Sequence, residues 1–503
     1  MITWNMPRKA LTTLVGPFLA MVLLAGCTGD STCKCSYNCQ GDVLYCISDG
    51  DGGVVCYASP DLVPSGEDDN GVGESDSQGE PAEDASPRED GRTEPLDDIS
   101  GPEDALTPQD VPAPEDQEAP PPDIAEEDEQ VPQPDNVTPP EGPFEFRGVW
   151  VTRWDYKTES DLVSIMDKVH SWGFNAVMFQ VRGNADAFYQ SNVEPWAKEL
   201  TGTLGKDPGW DPLATAVAEA HERGMELHAW TNTFTGWTGT TPPGETTPPH
   251  ILFAHPEWRQ ADSSGKPMAF NNSYTWVSPG IPGVRQHVKS VVLDIVDGYD
   301  VDGIHFDYIR YAGPDYSHDT WSEDAYMMAK QANAGLSYGD FQRDTLAAFV
   351  DEAYKALGVK APSVKVTASV WGIYQDNFGW GGTSEGYYDY YQDSHGWMGK
   401  GSLDAICPMI YWPLTAPKGG WTDFATLADD HLAAASGRHA YMGLNADYDS
   451  FDEIEAEIEY VRSIGAPGYV VFAYSTLNKK GYGPMLAGSV HAEPASPPPM
   501  SWK

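Results

Sequence analysis

From residue 144 onward the chain alternates between short runs of β-branched and aromatic residues and longer segments with helical spacing. That alternation constrains the fold more than any other feature, because strands separated by helices pair in parallel. The candidate strands are Phe146–Thr152, Ala176–Arg182, Met225–Thr231, Gly303–Tyr308, Val364–Val370, Ala405–Tyr411, Ala440–Leu444 and Tyr469–Tyr474. Helical segments between them are Glu159–Trp172, Asp211–Arg223, Val284–Val296, Phe341–Leu357, Asp423–Ala435 and Asp452–Ile464. Asp211-Pro212 reads as an N-cap followed by proline at the first helical position, and Gly173, Gly224 and Gly465 sit where helices should stop. Eight strands in this order predict an α/β fold, a (β/α)8 barrel over residues 144–485. A doubly wound sheet is the alternative, but no Gly-x-Gly-x-x-Gly follows the first strand. The long insertion from Thr233 to Pro282 is expected to form a lobe over the barrel mouth, and the eighth helix is weakly marked before a Pro-rich tail at 486–503.

The chain upstream of residue 144 has a different character. Arg8 and Lys9 precede an apolar run that ends at Leu24-Ala25-Gly26-Cys27. This pattern reads as a lipoprotein signal peptide over 1–26, with Cys27 acylated after cleavage. Six of the seven cysteines fall between Cys27 and Cys56, so 27–57 is expected to be a small disulfide-stapled segment. Residues 58–143 read as a disordered acidic, Pro-rich linker; 61–142 alone hold 27 acidic and 2 basic residues. With a net charge of −46, the protein lacks the clustered Lys and Arg that phosphate backbones require, which excludes an unassisted nucleic-acid binder. The expected product is an exported, lipid-anchored monomer held at a bacterial membrane through its N-terminus.

Function in a barrel of this kind lies at the carboxyl ends of the strands. Those ends offer Trp154, Arg182, His228, Trp230, Asn232, Tyr308, Arg310, Trp371, Tyr411 and Trp412. Aromatic rings interleaved with Arg, Asn and His suit a polysaccharide, since rings stack on pyranose faces while polar groups bind hydroxyls. Aromatic residues inside strands serve the core more often than a ligand, so Trp154, Trp230 and Trp412, placed beyond the strand ends, favour the binding reading most. The twelve histidines are scattered without metal-ligand spacing, and no metal or other cofactor is expected.

Several segments are similar to the bacterial glycosyl hydrolase-like family ten. They are Arg147-Gly148-Val149-Trp150, Gly173-Phe174-Asn175-Ala176-Val177, Gly209-Trp210-Asp211-Pro212-Leu213, His221-Glu222-Arg223-Gly224 and His228-Ala229-Trp230. The strongest is Tyr299-Asp300-Val301-Asp302-Gly303-Ile304-His305-Phe306-Asp307, with Pro408-Met409-Ile410-Tyr411-Trp412 later. The resemblance spans about residues 144–478 and leaves out the N-terminal segments. One departure is local: many relatives follow the catalytic-type Asp with a second Asp, whereas here Tyr308 follows Asp307.

The resemblance implies a TIM barrel and glycoside hydrolysis, with cell-envelope glycan such as peptidoglycan strands as a plausible substrate. Most such enzymes place two carboxylates across the scissile bond. Asp307 is the candidate nucleophile or base, because alternation puts it on the same side as His305 and at the mouth end of its strand. His305, one layer deeper, is expected to be a packed hydrogen-bonding residue, and Asp302, at the strand's entry end, a capping one. Glu385, in the aromatic-rich loop after strand five, is the candidate acid in preference to Asp376; Asp404 lies at the wrong end of the barrel. The rival reading is a carbohydrate-binding envelope lipoprotein with a degenerate, non-catalytic barrel.

Overall fold

A computed structural model describes residues 142–416, 420 and 422–503, together with three short strands farther upstream. Those strands, Leu23–Ala25, Leu44–Ser48 and Val54–Ala58, form an antiparallel sheet with the third strand in the centre. The acylation of Cys27 lies outside the described residues. So do the cysteine-rich segment and the acidic linker, apart from these strands and the linker's last two positions.

Eight parallel strands close into a barrel: β1 Phe146–Val151, β2 Ala176–Arg182, β3 Glu226–Asn232, β4 Gly303–Asp307, β5 Lys365–Trp371, β6 Ala405–Met409, β7 Met442–Asn445 and β8 Gly468–Phe472. Each pairs with its successor, and β8 returns to β1 with Val470 opposite Gly148. A helix follows each strand: α1 Glu159–Ser171, α2 Pro212–Glu222, α3 Pro282–Gly298, α4 Tyr338–Lys360, α5 Ser394–Lys400, α6 Phe424–Ala433, α7 Phe451–Ser463 and α8 Tyr474–Lys480. The fold is the (β/α)8 barrel that the alternation predicts.

Local chemistry explains the boundaries. Thr158 and Asp161 close a reciprocal capping box at the start of α1, and Asp211 accepts from the Ala214 N–H at the start of α2. Such caps contribute about 1 kcal/mol each. Gly173 ends α1 at φ +79°, where a side chain would also strike His491. The apolar stripe of each helix packs on the outer faces of the strands; in α1 the stripe is Leu162, Ile165, Met166 and Val169. Burying an aliphatic side chain of this size stabilises the fold by roughly 1.5–3 kcal/mol.

Three helices depart from the sequence expectation. α5 has seven residues including Gly396 and Gly399, too few and too poor in helix formers to show as a pattern. An extra helix, Thr320–Ala332, fills the loop after β4. The weakly marked eighth helix is present as α8, interrupted at Gly481 and resumed over Tyr482–Gly488.

The barrel interior is filled in layers. At the bottom, Phe146 stacks on Tyr441 with ring centroids 4.1 Å apart and meets the edge of His228. One layer up, the Trp150 indole N–H donates to His305 Nε2 at 3.1 Å. The Pro-rich tail turns back beneath the barrel: Ser496 bonds to Pro143 and Glu145, Met500 joins the interior cluster, and Trp502 and Lys503 both reach Asp404.

Candidate active site

The last inward-facing residue of β4 is Asp307, in register with Asn232 of β3. Strand alternation puts Gly303, His305 and Asp307 on one face, and the strand ends there because Tyr308 turns into the left-handed region at φ +49°. That conformation costs a non-glycine residue roughly 1–2 kcal/mol. It brings the Tyr308 N–H to Asp307 Oδ1 at 2.6 Å, while the Asp307 carbonyl accepts from the Thr233 N–H. The Asp307 charge is felt at β6: burial first, and then this carboxylate, raise both the Cys407 thiol and the Tyr411 phenol. Tyr411 therefore keeps its proton at neutral pH and remains a hydrogen-bond donor, and Cys407 stays an inert thiol.

His305 packs as expected, one layer below. Burial brings it down to about 3, so its ring is neutral. Since Nε2 accepts from Trp150, Nδ1 is assigned the proton and donates to Thr367 Oγ1 at 2.8 Å; Ser369 Oγ lies 2.9 Å from Nε2.

Around the rim, the Arg153 N–H donates to Gln180 Oε1, and Gln180 Nε2 donates to Asn232 Oδ1 at 3.1 Å, linking the exits of β1, β2 and β3. Trp230, buried beneath Asn232, has an indole N–H with no protein acceptor. On the β4 and β5 side, the Arg310 guanidinium lies 4.7 Å from the Tyr308 ring, 5.1 Å from Trp371, 5.3 Å from Tyr390 and 5.6 Å from Trp276. Trp276 and Tyr274 belong to a hairpin, Thr235–Thr238 with Tyr274–Trp276, built by the long insertion after β3. Both rings pack on Tyr308, which brings that hairpin to the mouth. Among the described residues, no group of three His, Cys, Asp or Glu is arranged to hold a metal ion.

The sequence candidates divide accordingly. Asp307, Tyr308, Arg310, Asn232, Trp371, Tyr411 and Trp412 come from the exits of β3 to β6, whereas Trp230, expected beyond its strand, lies inside β3 and is buried in the interior cluster. Trp154, 58 % exposed, lies beyond β1 with Arg153 over its ring at 4.6 Å. Glu385 is half-buried and braces its own loop, accepting from the Asp376 N–H at 2.8 Å. Two further expectations need correction. His228 faces inward, but at the bottom layer, where it bonds Glu226 and fills the space opposite Gly303. A side chain at 303 would collide with that imidazole. Arg182 is fully buried in a two-bond pair with Glu194, 2.8 Å for each bond, and also bonds backbone carbonyls of Asn232 and Thr233. Burial would raise the Glu194 carboxyl, but the Arg182 charge and the His287 hydrogen bond outweigh it and lower it to about 2. Both are structural groups, not substrate ligands.

Sequence reasoning missed Asp186 in the loop after β2. It is buried, accepts from the Gly183 and Asn184 N–H groups, and its carboxyl is raised by burial and by the nearby Glu199 charge. It also missed Tyr274, Trp276 and Tyr390 around the mouth. Their place depends on the folding of the insertion and of the loop after β5, which carry no periodic signal.

Comparison with known proteins finds a family and several relatives similar to this chain. The family described as Glycosyl hydrolase-like 10 matches residues 145–448. The glycosyl hydrolase YngK of Bacillus subtilis (strain 168) is 29 % identical over 395 residues, covering 71 % of this chain and 74 % of that one. The glycosyl hydrolase DigH of Escherichia coli (strain K12) is 28 % identical over 325 residues, 56 % of this chain and 70 % of its own. Among solved structures, the glycoside hydrolase domain of PgaB (BpsB) from Bordetella bronchiseptica aligns at 14 % identity with a TM-score of 0.49, over 68 % of this chain and 98 % of that domain. With more than half of its length matched, from β1 through β7, the chain belongs to the glycosyl hydrolase-like 10 family.

Proposed function

We propose that the barrel is a glycoside hydrolase that cleaves a bacterial cell-envelope polysaccharide, such as peptidoglycan strands, by a two-carboxylate mechanism. The observation that carries this reading is Asp307: a carboxylate at the carboxyl end of β4, its charge felt at the Tyr411 phenol, below a ring-lined rim, in a chain of this family. Asp307 serves as nucleophile at the anomeric carbon or as base on the attacking water. Glu385 is the proposed acid, passing a proton to the glycosidic oxygen as the bond breaks.

The Leu24–Cys27 pattern supports acylation of Cys27, an exported protein tethered to the membrane, and a barrel held away from it by the acidic linker. Cys27→Ser should release the protein from the membrane fraction or leave it as precursor; an unmodified N-terminus by intact mass would end this part.

Mass spectrometry of products from a polysaccharide panel, including peptide-free peptidoglycan strands, tests the activity. Glu385→Gln should lose most with poor leaving groups and least with activated aryl glycosides, which need little protonation. Wild-type protein that binds glycan yet never cleaves any would assign the barrel to carbohydrate binding.

A further inference from the structure

We propose that Arg310 is the receptor for a carboxylate carried by the glycan, so that the site selects sugars with an acidic substituent. The inference rests on the glycan-binding reading above and names the class of glycan.

Other buried arginines of the barrel meet an acid. Arg147 bonds Glu145, Arg182 bonds Glu194, and Arg153 lies 3.8 Å from Glu199. Arg310 is buried as deeply, at 5 % exposure, yet no carboxylate of a described residue lies within 4.0 Å, and its Nε has no acceptor. Residues 143–503 carry 45 acidic side chains against 25 basic ones, so acids are plentiful and none is placed here.

Four aromatic rings surround the group instead, supplied by the insertion hairpin, the exit of β4, the exit of β5 and the loop that follows it. A ring face attracts a cation by about 0.5–2 kcal/mol. Desolvating an unpaired charge costs several kcal/mol, more than one such contact returns. Ring faces also leave the in-plane N–H donors of a guanidinium unused, and a carboxylate matches those donors two at a time. Arg310 stands three residues beyond Asp307, so the acid it binds belongs to a sugar at or next to the cleavage point.

Two sources present this chemistry: the C5 carboxylate of a hexuronic acid and the lactyl ether carboxylate of an amino sugar. Calorimetry on the full-length protein separates them, using an oligohexuronate, a peptide-free strand with lactyl ethers, and the amidated form of each. The wild type should bind one free acid about 10- to 100-fold more tightly than its amide, and the acid preferred identifies the source. Arg310→Gln should remove the difference between acid and amide, and Arg310→Lys should restore part of it. The amide comparison needs no variant, so misfolding of Arg310→Gln would leave the test intact. Equal affinity for acid and amide, equal losses for both on substitution, or no binding of any probe would overturn the proposal. Acid-selective binding without cleavage keeps the role of Arg310 and removes the hydrolase reading. Cleavage of glycans without acid preference does the reverse.

Discussion

At the bottom of the barrel, buried Asp404 takes two charges and three further donors: Arg438, Lys503, the Tyr354 hydroxyl, the Trp502 indole and the Val366 N–H. Glu145 is likewise held by Arg147 and Arg462, and Glu226 by Lys365 and His228. At the mouth, the same residue types are less completely satisfied. Arg310 is wrapped in rings, and Arg153 Nε and the Trp230 indole N–H lack acceptors. A buried group with all its partners contributes rigidity, whereas a buried donor without one is costly unless something arrives to meet it. The two ends thus differ in how far their buried charged side chains are neutralised by protein partners.

Substitution at each end should separate activity from stability. Asp307→Asn, at the mouth, should cut glycan hydrolysis by about a thousandfold or more while oligosaccharide binding and Tm persist. Hydrolysis near the wild-type rate would remove Asp307 from the chemistry. Asp404→Ala, at the bottom, should cost on the order of 3–5 kcal/mol by leaving Arg438 and Lys503 facing each other without their anion. The readout is a Tm lowered by several degrees, with activity per folded molecule retained. A fall in kcat at unchanged Tm would contradict the division.

Acid should act next. Burial lowers His305 and His491 to about 3 and His250 to about 4. Their folded-state affinity for protons is depressed, so the unfolded chain binds more protons as pH falls below about 6.5. Stability should therefore be fully present above that value and fall from pH 6.5 down to about 4 for His250 and about 3 for His305 and His491, by about 1.4 kcal/mol per unit for each histidine. Glu194, lowered to about 2, should weaken the fold only below pH 4.5, so the histidines act without it between pH 6.5 and 4.5 in a Tm-against-pH series. A flat Tm from pH 7 to 5 would refute the histidine argument.

The smallest effect concerns Glu457, buried on α7 with the Tyr448 hydroxyl of the loop after β7 beside it and the Glu453 charge nearby. Burial raises it to about 9, so the folded protein carries a proton that the unfolded chain releases above pH 4.5. Stability is therefore lost as pH rises through that interval, and Glu457→Gln should raise Tm at pH 7–8, by about 1 kcal/mol of stability. An unchanged or lower Tm would show that Glu457 is stabilised by its surroundings.

The legible part of the site followed strand periodicity. Asp307, Asn232 and His305 share a face because side chains alternate along a strand, and each fell where that rule puts it. His228 obeyed the same rule and still misled, since alternation gives the face and not the depth, and it lies two layers below Asn232. Arg182 misled for another reason: its partner Glu194 comes from the following loop, whose path no local pattern records.

What the sequence by itself determined is therefore the barrel, its strands, most of its helices and the strand-end position of Asp307. All follow from interactions within one element or between neighbouring elements. Only the tertiary structure decided which charges are neutralised. It brought the C-terminal Trp502 and Lys503 to Asp404, some hundred residues away in the chain, and gathered three separate segments around Arg310. Those contacts arise because the closed barrel sets the strand ends in a ring, so that loops distant in sequence become neighbours at each rim.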